Sequence, residues 1–382
     1  MAEMKRWSGN VTSKISLYDD ELDRFAAFTT KYEHIYIYGA GHVGQAMRTY
    51  MREAGLSCDG FVTSDTIDQI LSIGSCGVVC GVSERFRSEI VETAKKYFKE
   101  EQIFILAVEK RDTIARAFDF DYVKNHFWLN IFVTNACNLL CRSCSTFSPV
   151  CHNAYYNVAA FHTDLQHIEK LHLPTLSVLK FTGGEALLHP HIDEFFALAR
   201  DLFPQTPMEC YTNGLLLQNM ADEKMAHIAK NGIVMVVTEY PTERIDYAKV
   251  YRRLEDAQIA YEVIFSEGQK FFSKRPLNLK KDTPRHRFLH CPRYKMCDSL
   301  FCYEGRLYKC VYALSASYVN EAFPTNLSVT DGDYLSIKEI GIGEEDQIYR
   351  YCMQRLPFCG YCSSIEELVP WGLSTGDMSE WT

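Results

Sequence analysis

The sequence predicts an α/β protein in three parts. Two observations carry this. Short apolar runs alternate with amphipathic stretches from residue 34 to residue 264, the pattern of parallel strands with helices packed over them. Fifteen cysteines in 382 residues gather mainly in two places, one mid-chain and one near the end. A chain of this length forms two or three domains with real cores. At 47% hydrophobic and 23% charged residues, the composition is that of an ordinary soluble protein. The net charge of -9 argues against nonspecific nucleic-acid binding. No apolar run approaches the roughly 18 residues of a membrane span, and MAEMKRWSGNVTSKIS lacks a signal peptide's apolar core. An odd cysteine count without a secretion signal points to metal rather than disulfides, and to the cytoplasm.

The first part, residues 30–120, reads as a Rossmann-like domain. HIYIY is a buried strand, Gly39, Gly41 and Gly44 form G-x-G-x-x-G, and a helix follows. GVVCGVSE and QIFIL are further strands, with RFRSEIVETAKKYFKEE a helix between them. A dinucleotide site would place an acidic residue on a ribose, and Asp59 and Asp65 are the candidates. Neither position is clean, and the glycines equally serve a tight turn and close helix packing. A scaffold role is therefore favoured over a bound nucleotide. The domain resembles small Rossmann modules fused to enzymes of surface-polysaccharide biosynthesis.

The second part, residues 125–285, repeats strand and helix. HFWLNIFVT, LSVLKFTGG, MECYTNG, IVMVVTEY and AYEVIF are the strands, and right-handed crossovers make them a barrel or partial barrel. Such barrels place their chemistry at the C-terminal strand ends. Cys137, Glu185, Asn213 and Tyr240 all fall at or just after such ends.

Cys137, Cys141 and Cys144 stand in VTNACNLLCRSCSTF, spaced C-x3-C-x2-C. Three thiolates hold three irons of a [4Fe–4S] cluster and leave the fourth open, although a zinc site is the alternative for a lone loop. FTGGEALLHP (Gly183, Gly184, Glu185) and ECYTNG (Thr212, Asn213, Gly214) follow in order. Together these segments resemble the radical S-adenosylmethionine (SAM) superfamily, whose fold is a partial (β/α)6 TIM-type barrel. The resemblance implies SAM chelated at the open iron and cleaved reductively to a 5′-deoxyadenosyl radical. It implies that Gly183, Gly184 and Glu185 meet the methionine amino group, and that Thr212 and Asn213 meet the ribose or carboxylate. One position departs from the family. Ser143 stands where an aromatic residue usually lies near adenine, so a backbone contact is expected there unless Phe147 supplies a ring.

The third part, residues 286–382, is cysteine-rich. Cys291 and Cys310 flank a hairpin-like segment with Gly305, and Cys359 and Cys362 form C-x-x-C. This resembles the Twitch domain, a shortened SPASM domain that holds one auxiliary [4Fe–4S] cluster, with structural zinc as the alternative. Cys297, Cys302 and Cys352 are spare ligands, while Cys58, Cys76, Cys80, Cys151 and Cys210 read as buried small residues. The expected cofactors are thus two [4Fe–4S] clusters, one SAM-binding and one auxiliary, together with SAM.

A fully ligated cluster accepts an electron from a substrate radical, so alcohol oxidation to a ketone is the expected reaction. The resemblance extends to Twitch enzymes acting on aminocyclitols, such as 2-deoxy-scyllo-inosamine dehydrogenases. The substrate is expected to be a sugar, cyclitol or nucleotide-sugar, and the electron donor a flavodoxin or ferredoxin. Glu239 and Tyr240 are the catalytic candidates, Glu239 as the base. Arg275, Lys280, Lys281, Arg285 and Arg287 form a basic stretch suited to a phosphate or to a solvated linker. The alternatives are a radical SAM epimerase or dehydratase, a peptide-modifying enzyme (disfavoured, since no leader-binding element is seen before the barrel), and a non-catalytic zinc or iron–sulfur interaction protein.

Overall fold

The computed structural model describes residues 15–17, 19–173, 176–264, 270–295, 299–363 and 365–382. Cys297 and the opening 14 residues lie outside them. Among the described residues no helix is long and apolar enough to cross a membrane.

The first described strand, β1 (Ile15–Leu17), belongs to a sheet completed at the far end of the chain. Helix α1 (Glu21–Lys31) leads into four parallel strands: β2 (His34–Tyr38), β3 (Gly60–Val62), β4 (Cys76–Cys80) and β5 (Ile103–Phe104). Their order is β3-β2-β4-β5, so the sheet is the expected small Rossmann-like one. Helices α2 (His42–Ala54) and α3 (Glu84–Tyr97) flank it. A Cβ on Gly44 would collide with the Gly39 carbonyl, so this glycine lets α2 lie directly on the turn after β2. The Asp59 carboxylate accepts from the Ile35 amide at 2.7 Å, at the opposite end of β2 from the glycine turn. Asp59 therefore braces the sheet and cannot face a ribose at that turn.

Helices α4 (Val108–Ala117) and α5 (Phe120–Asn125) lead to the barrel strands β6 (Trp128–Thr134), β7 (Leu179–Gly183), β8 (Met208–Thr212), β9 (Ile233–Thr238) and β10 (Tyr261–Ile264). All pair in parallel, in sequence order. Between them run α6 (Val158–Lys170), α7 (Ile192–Leu202), α8 (Asp222–Lys230) and α9 (Tyr247–Asp256). Local chemistry starts these helices: Asn157 accepts from the Ala160 amide and Asp246 from the Lys249 amide, capping α6 and α9. The core of β6 to β9 is apolar and closed.

The sixth parallel strand is not where repetition alone puts it. After β10 the chain leaves the barrel, and β11 (Phe271–Lys274) pairs antiparallel with β15 (Glu366–Pro370), which also holds β1. The sixth position is taken by β12 (Ser299–Tyr303), which pairs in parallel with β6 and covers its otherwise open edge. Glu304 and Gly305, both at positive φ, then turn the chain into antiparallel β13 (Arg306–Tyr308), followed by β14 (Leu335–Ser336). The expected hairpin is therefore an extension of the barrel sheet.

The basic stretch is not a solvated linker, because it docks the first sheet's helices onto the last part of the chain. Asp23 on α1 accepts a bidentate pair from Arg287, at 2.7 and 2.8 Å, and contacts His286. Arg285 donates to the Glu53 carbonyl, Arg275 pairs with Glu366 at 3.0 Å, and Lys281 lies over the Tyr361 ring. Tyr50 donates to the His286 carbonyl and packs on Phe288. These internal partners take most of the charge that a phosphate would have met.

Candidate active site

The loop after β6 carries Cys137, Cys141 and Cys144 onto one cavity of ≈ 370 Å³ at the C-terminal mouth of the barrel. Leu140, Ser143 and Phe147 all take positive φ, so the loop winds tightly. Gly183, Gly184, Thr212, Asn213 and Tyr240 line the same cavity. No carboxylate or imidazole is among its lining residues, so the described wall offers three thiols and no fourth protein ligand. Burial pushes the thiols of Cys137 and Cys141 up to about 11 and about 12. Metal binding there would release their protons. No three His, Cys, Asp or Glu side chains among the described residues are drawn together as a ready metal site, so it is the chemistry of the donor set, three thiols and no fourth ligand, that fits a [4Fe–4S] cluster with one open iron.

Gly183 and Gly184 act partly on the protein itself. Their Cα atoms press on the ends of β6 and the start of the cysteine loop, where a Cβ would strike the Thr134 and Ala136 carbonyls. The Gly184 and Glu185 amides donate to those same carbonyls, both at 2.8 Å. The glycine segment is thereby clamped to the cysteine loop.

Glu185 is neither a solvated carboxylate nor open to the cavity. It is 1% exposed and accepts from Thr212 Oγ1 (2.9 Å), the Asn213 amide (2.9 Å) and the Leu187 amide (3.2 Å). It ties the two motifs together. Burial raises its carboxyl from 4.5 to about 7 despite those three donors. A raised carboxyl contributes stability that is full below pH 4.5 and lost as pH rises to about 7. The Glu185→Gln variant is therefore expected to lose a falling slope of stability between about pH 5 and about pH 7.5, measured by urea midpoints. Parallel slopes in both proteins would refute it.

Asn213 donates to Asn138 of the cysteine loop at 2.8 Å, so its amide too is engaged by protein. Ser143 is 4% exposed and its hydroxyl donates to the Glu380 carbonyl. Phe147 supplies no ring to the cavity, because it is fully buried between Tyr312 and Trp381. Glu239 and Tyr240 part company. Tyr240 lines the cavity, whereas the Glu239 carboxylate accepts from Tyr251 of α9 and is not among the lining residues.

Several site residues carry no motif. The C-terminal segment folds back over the cysteine loop: Trp371 Nε1 donates to Cys141 Sγ at 3.3 Å, and Trp381 Nε1 to the Cys144 carbonyl at 2.9 Å. Lys180 on β7 reaches Glu209 at 3.3 Å and Tyr211 at 3.2 Å on β8, placing a charged group on the barrel wall. Charged residues in otherwise apolar strands are the sequence signal that could have found this pair.

Cys291, Cys310, Cys359 and Cys362 line a second, smaller cavity of ≈ 40 Å³. It joins four thiols with Arg275, Arg293 and Lys309, so its wall carries positive charge beside the thiols. Burial pushes Cys310 up to about 12 and raises Cys359 and Cys362. The spare thiols are elsewhere: Cys302 and Cys352 are fully buried and line neither cavity. Cys76, Cys80 and Cys210 are buried as expected, while Cys58 and Cys151 are only partly so.

No family model matches the chain. Among curated proteins it is similar to GTP 3′,8-cyclases. The Mycobacterium ulcerans (strain Agy99) protein is 31% identical over 133 residues, 33% of this chain and 34% of that one. The Campylobacter curvus (strain 525.92) protein is 28% identical over 94 residues, 25% and 29% of the two chains. The chain spans about a third of the length of these curated relatives. Among solved structures, BtrN in complex with AdoMet and 2-DOIA is 16% identical at a TM-score of 0.39, over 62% of this chain and 93% of that one. The anSMEcpe structure with bound AdoMet is 13% identical at a TM-score of 0.29, over 36% and 43%.

Proposed function

We propose that this radical SAM chain oxidises a secondary alcohol of a sugar, cyclitol or nucleotide-sugar to a ketone. The observation that carries the reading is the pairing of a three-thiol cavity with an adjoining four-thiol cavity. When bound, a cluster and SAM at the first site would supply hydrogen-abstracting radical chemistry, and a cluster at the second would supply a one-electron acceptor. The protein's part is positioning. Cys137, Cys141 and Cys144 would hold the first cluster, and Gly183, Gly184, Thr212 and Asn213 would form the wall that SAM lies against. Glu185 acts through Thr212 and Asn213, which it holds in place. Ser143 contributes backbone only, its hydroxyl being bonded to Glu380. Tyr240 packs against the substrate. Its hydroxyl stays protonated, pushed up by burial, and serves as a donor. The Lys180–Tyr211–Glu209 group is better placed than Glu239 to receive the alcohol proton. Flavodoxin or ferredoxin is the proposed electron donor, and the cytoplasm the location, since all fourteen described cysteines are free.

Anaerobic reconstitution tests this. The expected result is about eight iron and eight sulfide per chain, with 5′-deoxyadenosine released on reduction with SAM. Tightly bound zinc and intact SAM after reduction would overturn it.

A further inference from the structure

Arg293 is the one described residue that lines both the three-thiol and the four-thiol cavity. The other cations of these cavities are engaged by protein. Arg275 pairs with Glu366, Arg287 with Asp23, and Lys180 with Glu209, while Lys309 donates to the Cys352 carbonyl. Arg293 has no hydrogen bond or ion pair among the described residues; its guanidinium lies 4.6 Å from the Phe301 ring centre, and the thiols of Cys291 and Cys310 are the ionisable groups that act on it. A guanidinium keeps its charge, and a half-buried one with no ion pair can still take an anion. Its planar fork matches a carboxylate or a phosphate. The cavity it faces has no acidic side chain in its wall to repel an anion.

We propose that Arg293 receives an anionic group of the substrate, a carboxylate or a phosphate, on the side of the cavity toward the four cysteines. The substrate class is thereby narrowed to acidic or phosphorylated sugars and cyclitols. The proposal rests on the radical SAM reading for the identity of the cavity. An anchor there holds the reacting carbon between the SAM site and the electron acceptor, which is where a substrate radical must lie to use both.

The test is equilibrium dialysis of the reconstituted, unreduced holoenzyme with SAM, using labelled glucose, glucuronate and glucose 6-phosphate. One or both anionic probes should bind roughly tenfold or more tighter than glucose, as a charge-assisted pair implies. Which probe gains distinguishes carboxylate from phosphate. Arg293→Gln should remove that preference and Arg293→Lys should keep part of it, with iron content reporting that the four-thiol site is intact. The proposal is overturned if the wild type binds all three probes alike or none, or if Arg293→Gln keeps the preference. It is also overturned if the variant changes only iron content or the auxiliary signal, since the guanidinium would then serve the thiolates alone. Failure of the radical SAM reading is separate, showing as no SAM cleavage on reduction while the binding ratio is still readable.

Discussion

Replacing Gly184 with alanine is expected to destabilise the protein by about 3 kcal/mol or more and to empty the three-thiol site. The added Cβ would stand 2.6 Å from the Asn135 carbonyl and 2.7 Å from Ser148 Oγ, and still nearer the Ala136 carbonyl. Two of these are backbone atoms at the start of the cysteine loop, so no rotamer change relieves them. Pushing the segments apart also breaks the Gly184–Thr134 and Glu185–Ala136 amide bonds, each worth about 1 kcal/mol. Glu185 would then move away from Thr212 and Asn213. Gly60→Ala is the control, since a Cβ there meets nothing within 4 Å. Urea midpoints and iron content of the reconstituted proteins decide the matter. A Gly184→Ala variant that holds the wild-type iron at the wild-type midpoint would show that the two loops are not clamped.

The Cys359→Ser variant is expected to drop from about eight iron to about four while still releasing 5′-deoxyadenosine, and to form no ketone. Cys359 sits on a short 3-10 turn, Pro357–Tyr361, and Cys362 directly follows it; both line the small cavity with Cys291 and Cys310. A serine oxygen is a hard ligand and replaces a thiolate poorly on iron. Neither Cys302 nor Cys352, the spare thiols among the described residues, lines that cavity. Cys359 also packs beside the aromatic cluster that joins the first sheet's helices to Phe288 and Tyr294, so thermal stability should fall along with iron content. Full retention of eight irons would remove the four-cysteine assignment. Loss of SAM cleavage along with the iron would mean that the two cysteine sets are not separate sites.

Much of this layout is readable from short stretches of chain. The strands before Cys137, Gly183 and Asn213 are legible because a buried parallel strand is a short apolar run, and the motifs follow those strands directly. The α/β class and the N-terminal Rossmann-like sheet are legible for the same reason. The roles of individual side chains were harder to read. Glu185 looked like a group offered to SAM, yet its carboxylate is occupied by Thr212, Asn213 and Leu187. Phe147 looked like a spare ring for adenine, yet it belongs to a core with Trp381. Glu239 and Tyr240 are neighbours in sequence, and a strand end turns neighbours to different sides.

What the sequence determined by itself is whatever depends on neighbours along the chain: the cysteine spacing, the strand-and-helix alternation, and the placement of motifs at strand ends. What only the tertiary structure decided depends on residues far apart. Trp371 reaches Cys141 across 230 positions, β12 closes the edge of β6, and Arg293 stands between two cavities built from separate segments. The physical reason is that backbone periodicity is set by local sterics and hydrogen bonding. A buried polar or charged group, by contrast, takes whichever partner the packed fold brings to it, and that partner leaves no mark on the local pattern.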